Sequence, residues 1–344
     1  MKLNMFSPFK VLAHTKTLKD IASGKQVYPI SCEIDPSNFC NHSCVWCING
    51  KFRRKEKVFL NTDVALKAIN QLAEVGVKSI TFTGGGEPLS HPDIVLLLNY
   101  VREKGMEVAL VTNGGLFNKE KADAVVRTCS FVRLSLDAGE EKTYKKLHRP
   151  VRNTLQDVLS WINYINLNAS NNFIIGTAFL VHPFNYLELT TAAKLVKEAG
   201  ASYIQVRPVY MRGMELTERV LSETHRQLQE LKYIESDNFK VYPILHRFDE
   251  LNQMDKPFDE CLGHNLLGVI AANGKMYVCC QLRGMDRYCL GDLNRNTFKE
   301  IWNGEQRQEV LRHINVHKCP PCRYTKYNEI IGSLKNGKTH ANFL

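Results

Sequence analysis

Residues 40–47 read Cys40-Asn41-His42-Ser43-Cys44-Val45-Trp46-Cys47, a C-x3-C-x2-C run just behind an apolar stretch at 30–34. Three thiols this close cannot all pair among themselves, so a disulfide reading leaves one over. Structural zinc usually takes four protein ligands, and His42 could complete such a knuckle. The other reading is an iron–sulfur cube held by three thiolates, which leaves one iron open to bind a small molecule and do chemistry on it. What surrounds the run decides between them.

The chain has 344 residues, which suits one large α/β domain with a smaller appendage. It is 44% hydrophobic, enough for a core, yet no apolar run approaches the roughly 18 residues that span a bilayer. Residues 1–10 hold no signal-peptide core. The expected compartment is therefore the cytoplasm, with no membrane partner. Eleven cysteines there point to metal or redox chemistry rather than structural disulfides. The net charge of +10 fits scattered surface lysine, and it also fits attraction to an anionic substrate. There is no nucleic-acid motif and no interleaving of aromatic and basic residues, so DNA and RNA are not expected partners.

From 28 to 210, short β-rich runs alternate with helical patterns. Strands are expected at 30–34, 79–83, 107–112, 132–136, 173–180 and 203–207. Between them, Leu66, Ile69 and Leu72 recur at helical spacing in 63–75, with Thr62 or Asp63 as cap and Gly76 as stop. Further helices are expected at 94–104, closed by Gly105, and at 187–198, closed by Gly200. Six alternating units imply a parallel sheet with right-handed crossovers, a partial (β/α)6 TIM-like barrel. Chemistry in such barrels sits at the C-terminal ends of the strands. Residues 1–27 form a short lead-in. Residues 211–260 form a polar connecting segment with a helix at 216–232. Residues 261–330 form a second, cysteine-rich unit. A tail at 331–344 is expected to be loose, though Asn342-Phe343-Leu344 could dock.

Gly84-Gly85-Gly86-Glu87-Pro88 follows the second strand, where glycines allow a ligand to approach the backbone. Thr112-Asn113 ends the third strand, Ser135-Leu136-Asp137 the fourth and Arg207 the sixth. With the cysteine run some forty residues upstream, this set resembles the radical S-adenosylmethionine (SAM) superfamily. The resemblance implies that Cys40, Cys44 and Cys47 hold a [4Fe–4S] cluster whose open iron is chelated by SAM. It implies that Trp46 packs near the adenine, and that Gly85, Gly86 and Glu87 form the motif whose backbone meets the SAM amino group. Thr112 and Ser135, and more weakly Asn113 and Asp137, are then expected at the ribose and methionyl carboxylate. Arg207 is expected to grip a carboxylate of SAM or substrate, or to pair with Asp137. Ordinary turn chemistry after a strand is the alternative for the strand-tip residues.

The C-terminal unit presents Cys261, Cys279 at the end of Gly274–Cys279, and Cys319-Pro320-Pro321-Cys322, with Gly291-Asp292-Leu293 and Glu300-Ile301-Trp302 between. Four thiolates in separated positions suit a fully ligated cluster or a zinc site. The arrangement resembles the SPASM/twitch extension of radical SAM enzymes. No cysteine follows Cys322, so the shorter twitch form with one auxiliary [4Fe–4S] cluster on Cys261, Cys279, Cys319 and Cys322 is expected. Cys280 could exchange with Cys279. Cys289 reads as a ligand, a substrate-facing thiol or a small buried residue. Cys32 and Cys129 read as core.

The resemblance implies reductive cleavage of SAM to a 5′-deoxyadenosyl radical that abstracts hydrogen from substrate. A closed auxiliary cluster could take up the electron left by an oxidation, as in the cyclitol-oxidising twitch enzymes. The expected substrate is therefore a small sugar- or cyclitol-like molecule, free or in phosphorylated or nucleotide-linked form, undergoing dehydrogenation or epimerisation. The reducing partner would be a flavodoxin or ferredoxin. The alternative is a maturase that cross-links or epimerises a ribosomal peptide; the roughly thirty residues before the first strand leave no room for the usual peptide-recognition module, which can be a separate protein. A cyclase similar to the molybdopterin-precursor enzymes would use three auxiliary cysteines rather than four. A non-enzymatic iron–sulfur carrier would have no use for the glycine motif. Candidate acid–base or hydrogen-donor groups are Tyr210, Arg212, Glu215, His182 and Cys289.

Overall fold

Strand registers, rather than helices, decide where the chemistry of this chain can sit. The structure is a computed structural model, and it describes residues 6–50, 57–209, 215–249 and 256–337. The parallel strands are β1 (Ser31–Ile34), β2 (Ser79–Phe82), β3 (Glu107–Thr112), β4 (Phe131–Ser135), β5 (Ile174–Val181) and β6 (Tyr203–Pro208). Each of the six lies within a residue or two of its expected position. Beyond β6 a further parallel strand, β7 (Lys240–Pro243), pairs with it.

The cysteine-rich unit does not hang off the barrel. Its strand β8 (Leu267–Ile270) runs parallel beside β1, with Ser31 opposite Leu267 and Ile34 opposite Ile270. Strands β9 (Lys275–Tyr277) and β10 (Cys289–Asp292) then continue antiparallel. One ten-stranded sheet results, ordered β10-β9-β8-β1-β2-β3-β4-β5-β6-β7.

Helices α1 (Thr15–Ala22), α2 (Thr62–Glu74), α3 (Ile94–Glu103), α4 (Lys119–Thr128), α5 (Glu141–His148), α6 (Leu155–Asn168), α7 (Leu189–Glu198) and α8 (Glu218–Leu231) precede β7. Helices α9 (Leu245–Asp249), α10 (Phe298–Asn303), α11 (Glu305–Arg312) and α12 (Thr325–Asn336) follow it. The cap of α2 is Asn61, whose side chain accepts from the Val64 amide, rather than Thr62 or Asp63. Gly76, Gly105 and Gly200 stop α2, α3 and α7 with φ of 86°, 75° and 92°, a conformation that favours glycine. The segment expected to be helical from 187 begins as a 3-10 turn, Tyr186–Glu188. Helix α12 carries ordered chain through residue 336, well past the expected start of a loose tail; Asn342–Leu344 lie outside the described residues.

Side chains that oppose one another across a parallel sheet share a face. Glu33 stands opposite Thr81, and Thr81 opposite Ala109. Arg133 stands opposite Gly176, which stands opposite Tyr203, and Arg207 stands opposite Leu180. This inner face carries polar groups at alternate positions, while the other face packs Ile80, Phe82, Leu110, Val132, Leu134 and Ile204 under the helices in the main core. The Tyr203 ring fills the space above Gly176, where a Cβ would lie 1.9 Å from a ring carbon. Phe6 packs edge-on against both Tyr203 and Tyr242, at 5.3 and 5.4 Å, and closes the lower end of this face.

The Glu300-Ile301-Trp302 segment has a clear structural task. Trp302 is 1% exposed, stacks on Phe298 and donates its indole N–H to Val27 O at 2.7 Å. It thereby locks α10 onto the chain leading into β1.

Candidate functional site

The cysteine loop lies across the C-terminal ends of the first strands, held mainly by its backbone. Ser43 N donates to His148 O at 3.1 Å and Val45 N to Leu147 O at 3.0 Å, while Phe39 O accepts from Glu87 N at 2.7 Å. Cys40, Cys44 and Cys47 are half-buried and not in disulfides. Donors already face the Cys40 sulfur: His42 N at 3.4 Å and Asn113 Nδ2 at 3.6 Å. Hydrogen bonds of this kind stabilise a metal-bound thiolate. His42, Cys44 and His148 also place possible ligand atoms within 4.8 Å of one another. That nitrogen-rich trio would leave Cys40 and Cys47 unused, whereas a cube on the three thiolates uses the whole run.

The glycine motif meets this loop where no larger residue fits. A Cβ on Gly86 would lie 2.1 Å from Phe39 O. Asn49 Nδ2 donates to Gly84 O at 3.1 Å, and the Gly85 backbone hydrogen-bonds Asp35. The Glu87 side chain is turned into the protein. It accepts from Leu89 N at 3.0 Å, Thr112 Oγ1 at 2.5 Å and Asn113 N at 2.8 Å. Burial outweighs these bonds and raises its carboxyl above the usual range. Glu87 and Thr112 thus join the tips of β2 and β3, and Asn113 divides its amide between Asn41 Oδ1, at 2.8 Å, and the Cys40 sulfur. Ser135 ends β4 on the inner face.

Asp137 adopts a left-handed backbone, φ 55°. Its carboxylate accepts from Leu180 N at 2.6 Å and faces His148 Nε2 at 3.2 Å, so its partner is His148 rather than Arg207. His148 Nδ1 in turn lies 3.5 Å from Cys44 Sγ. Burial opposes a charge on His148, but Cys44 and Asp137 outweigh it and raise the imidazole to about 10.

Beside the loop opens a cavity of about 350 Å³ lined by Cys44, Trp46, Cys47, Leu180, Arg207 and Val209 from the barrel. Arg247, Gln281, Pro321 and Arg323 close its other side. Trp46 is held between His148 and His182, at ring distances of 5.5 and 5.6 Å. Burial, then the charges of Arg133 and Arg323, push the Arg207 guanidinium down to about 9, and its Nε is buried without a hydrogen-bond partner. An orphaned donor of this kind, a cradle closed to any Cβ, and thiols met by N–H donors all fit a bound cluster and a cofactor that carries a carboxylate.

In the C-terminal unit, burial raises the Cys261 thiol to about 12, with Cys322 and Cys319 adding repulsion. Cys279 likewise feels Cys280 and then Cys261 after burial. Cys322 receives N–H bonds from Tyr324 at 3.3 Å and Asn328 at 3.8 Å. Cys280 instead looks toward the barrel, where Arg323 Nη1 lies 3.8 Å from its sulfur. Cys289 is buried beside Ala271 and Tyr277, with its sulfur on Gly291 O at 3.5 Å, and it does not line the cavity. Cys32 and Cys129 are core residues, as their strand-side positions suggest. Glu215 is exposed, and Tyr210 and Arg212 lie outside the described residues.

Sequence reasoning missed Glu33, Asp35, Arg133, Arg283, Arg323 and His148. A signal was present for three of them: Glu33 and Asp35, and Arg133 with the already expected Ser135, are polar residues two apart at the end of an otherwise apolar strand. In a parallel sheet that spacing places both on one face.

A family model described as the Radical SAM superfamily matches residues 34–196. A second, SPASM, described as an iron–sulfur cluster-binding domain, matches residues 261–324. The AdoMet-dependent heme synthase of Methanosarcina barkeri is 27% identical, over 83% of this chain and 86% of its own. The PqqA peptide cyclase of Gluconobacter oxydans is 24% identical, over 88% and 84%. Among solved structures, Streptococcus suis SuiB bound to precursor peptide SuiA superposes with a TM-score of 0.68 at 16% identity, covering 91% of this chain and 74% of that one. The last likeness establishes the fold.

Proposed function

Because this chain belongs to the radical SAM superfamily and ends in a SPASM iron–sulfur domain, we propose that it is a maturase of a ribosomally made peptide, forming a cross-link or an epimer. When bound, the cluster and SAM supply a 5′-deoxyadenosyl radical that removes a hydrogen atom from substrate. The chain's own residues provide the setting. Cys40, Cys44 and Cys47 would hold the three-thiolate cluster, and Cys261, Cys279, Cys319 and Cys322 one auxiliary cluster. Gly85 and Gly86 would let SAM approach the backbone, Trp46 would border its adenine, and Arg207 would meet a carboxylate. Glu87, Thr112 and Asn113 would stiffen the strand tips beneath it.

The peptide reading replaces the expectation of a sugar or cyclitol. The observation that carries it is likeness over most of the chain to a peptide cyclase. The cavity, at about 350 Å³, is at the small end for ligand sites. The heme synthase relative favours a second reading, in which a haem precursor is modified.

One experiment separates these readings. Reconstituted protein receives SAM, one-electron reductant and, in turn, candidate precursor peptides, haem precursors, and sugars or cyclitols, in deuterated water. The peptide reading predicts that a peptide stimulates 5′-deoxyadenosine release and is returned either short of two hydrogens or inverted with one solvent deuterium. Stimulation by sugars, cyclitols or haem precursors with peptides inert would overturn it.

A further inference from the structure

Among the described residues, the inner face of the barrel beside the cavity carries more arginine than its acids offset. Glu33 pairs with Arg323 at 2.6 Å and Arg283 at 3.5 Å, and Asp35 with Arg283 at 2.7 Å. Asp137 pairs with His148. These acids are all engaged. Among the described residues, Arg133 donates to Gln205 Oε1 at 3.2 Å, and its Nε is buried without a hydrogen-bond partner. Arg207 is in the same position on the neighbouring row. Neither arginine forms an ion pair among the described residues. Arg207 faces the cavity together with Arg323, which follows Cys322, and Arg247 of α9. The barrel, α9 and the C-terminal unit therefore each bring a guanidinium to one space, and of these Arg207 forms no ion pair among the described residues. A buried guanidinium without a counter-ion is costly. A planar two-oxygen acid matches its fork.

We propose that Arg207, Arg323 and Arg247 form a carboxylate-binding subsite for the substrate, so that the peptide presented to the cavity carries an acidic group beside the reacting carbon. This rests on the peptide reading for the word peptide, and on the arginines alone for the carboxylate. SAM also carries a carboxylate, and the test tells the two sources apart.

Cluster-reconstituted protein is saturated with SAM, and binding of glutarate is compared with that of glutaramide. A second pair, N-acetylated and C-amidated Ala-Glu-Ala and Ala-Gln-Ala, adds the peptide context. The proposal predicts that glutarate and the Glu peptide bind about tenfold or more tightly than their amides, as a charge-assisted pair would. Arg207→Gln and Arg323→Gln should each abolish the preference, and Arg207→Lys should keep part of it. Arg323→Gln also breaks the pair with Glu33; Arg207→Gln breaks no ion pair and carries the test if the former fails to fold. If glutarate shows no preference while Arg207→Gln weakens SAM binding about tenfold, the carboxylate held is that of SAM and the substrate subsite is overturned. Equal binding of acid and amide with SAM affinity unmoved also overturns it. So does inorganic phosphate competing as well as glutarate, because the site would then not be selective for carboxylates. A preference for glutarate with neither peptide bound would leave the subsite standing and remove the peptide reading. Both peptides bound equally, with no glutarate preference, would do the reverse.

Discussion

Replacing Cys40, Cys44 and Cys47 together with alanine is expected to lower the iron of anaerobically reconstituted protein from about eight to about four per chain, and SAM cleavage to background. The three thiols come from one loop whose backbone is fixed independently by Phe39, Leu147 and His148. Their removal should therefore leave the barrel folded, which circular dichroism can confirm. SAM cleavage needs the open iron that only a three-thiolate cube provides, and the C-terminal thiols offer no such vacancy once four of them are engaged. Iron that stays near eight in the variant would contradict the assignment. So would zinc making up the difference in the parent.

The second large effect separates two neighbours. Cys279→Ala is expected to cost about four irons, and Cys280→Ala close to none. Beyond burial, Cys279 feels Cys280 first and then Cys261, and Cys261 feels Cys322 and Cys319, so the expected ligand set is Cys261, Cys279, Cys319 and Cys322. Cys280 answers to Glu33, Arg323 and Arg283 instead. Iron and sulfide assays on the two variants decide the matter, and the reverse pattern would exchange their roles. A cluster on these four thiols would tie Cys261 to Cys279 and to Cys319 and Cys322, so it should also stabilise the unit that holds it. The Cys279→Ala protein should then melt at a lower temperature than the Cys280→Ala protein.

The six barrel strands were legible because each is a short apolar run ended by chemistry that only a strand tip can use, such as Gly84–Gly86 or Thr112-Asn113. The edges of the sheet were not. Leu267-Gly268-Val269-Ile270 reads as any short buried strand, and nothing local says that it pairs with Ser31–Ile34, some 230 residues earlier. Long-range pairing is set by packing, not by local pattern. The cysteines were legible by spacing. The arginines were not, because a lone Arg133 looks like surface charge until the register turns it inward, and Arg323 until the C-terminal unit brings it to Glu33. Glu87 shows a related limit. The motif that contains it was plain, but the orientation of its carboxylate, toward Thr112 and Asn113, depends on the neighbouring strand tip.

The most direct test of the account is the electron paramagnetic resonance spectrum of the reduced, reconstituted protein with and without SAM. Two cluster signals are predicted, and SAM should change one of them and leave the other nearly unaltered. The signal that moves should be the one missing from the Cys40→Ala, Cys44→Ala, Cys47→Ala protein. A SAM-induced change in the signal that survives in that variant would place the open iron on the C-terminal cysteines and contradict the account.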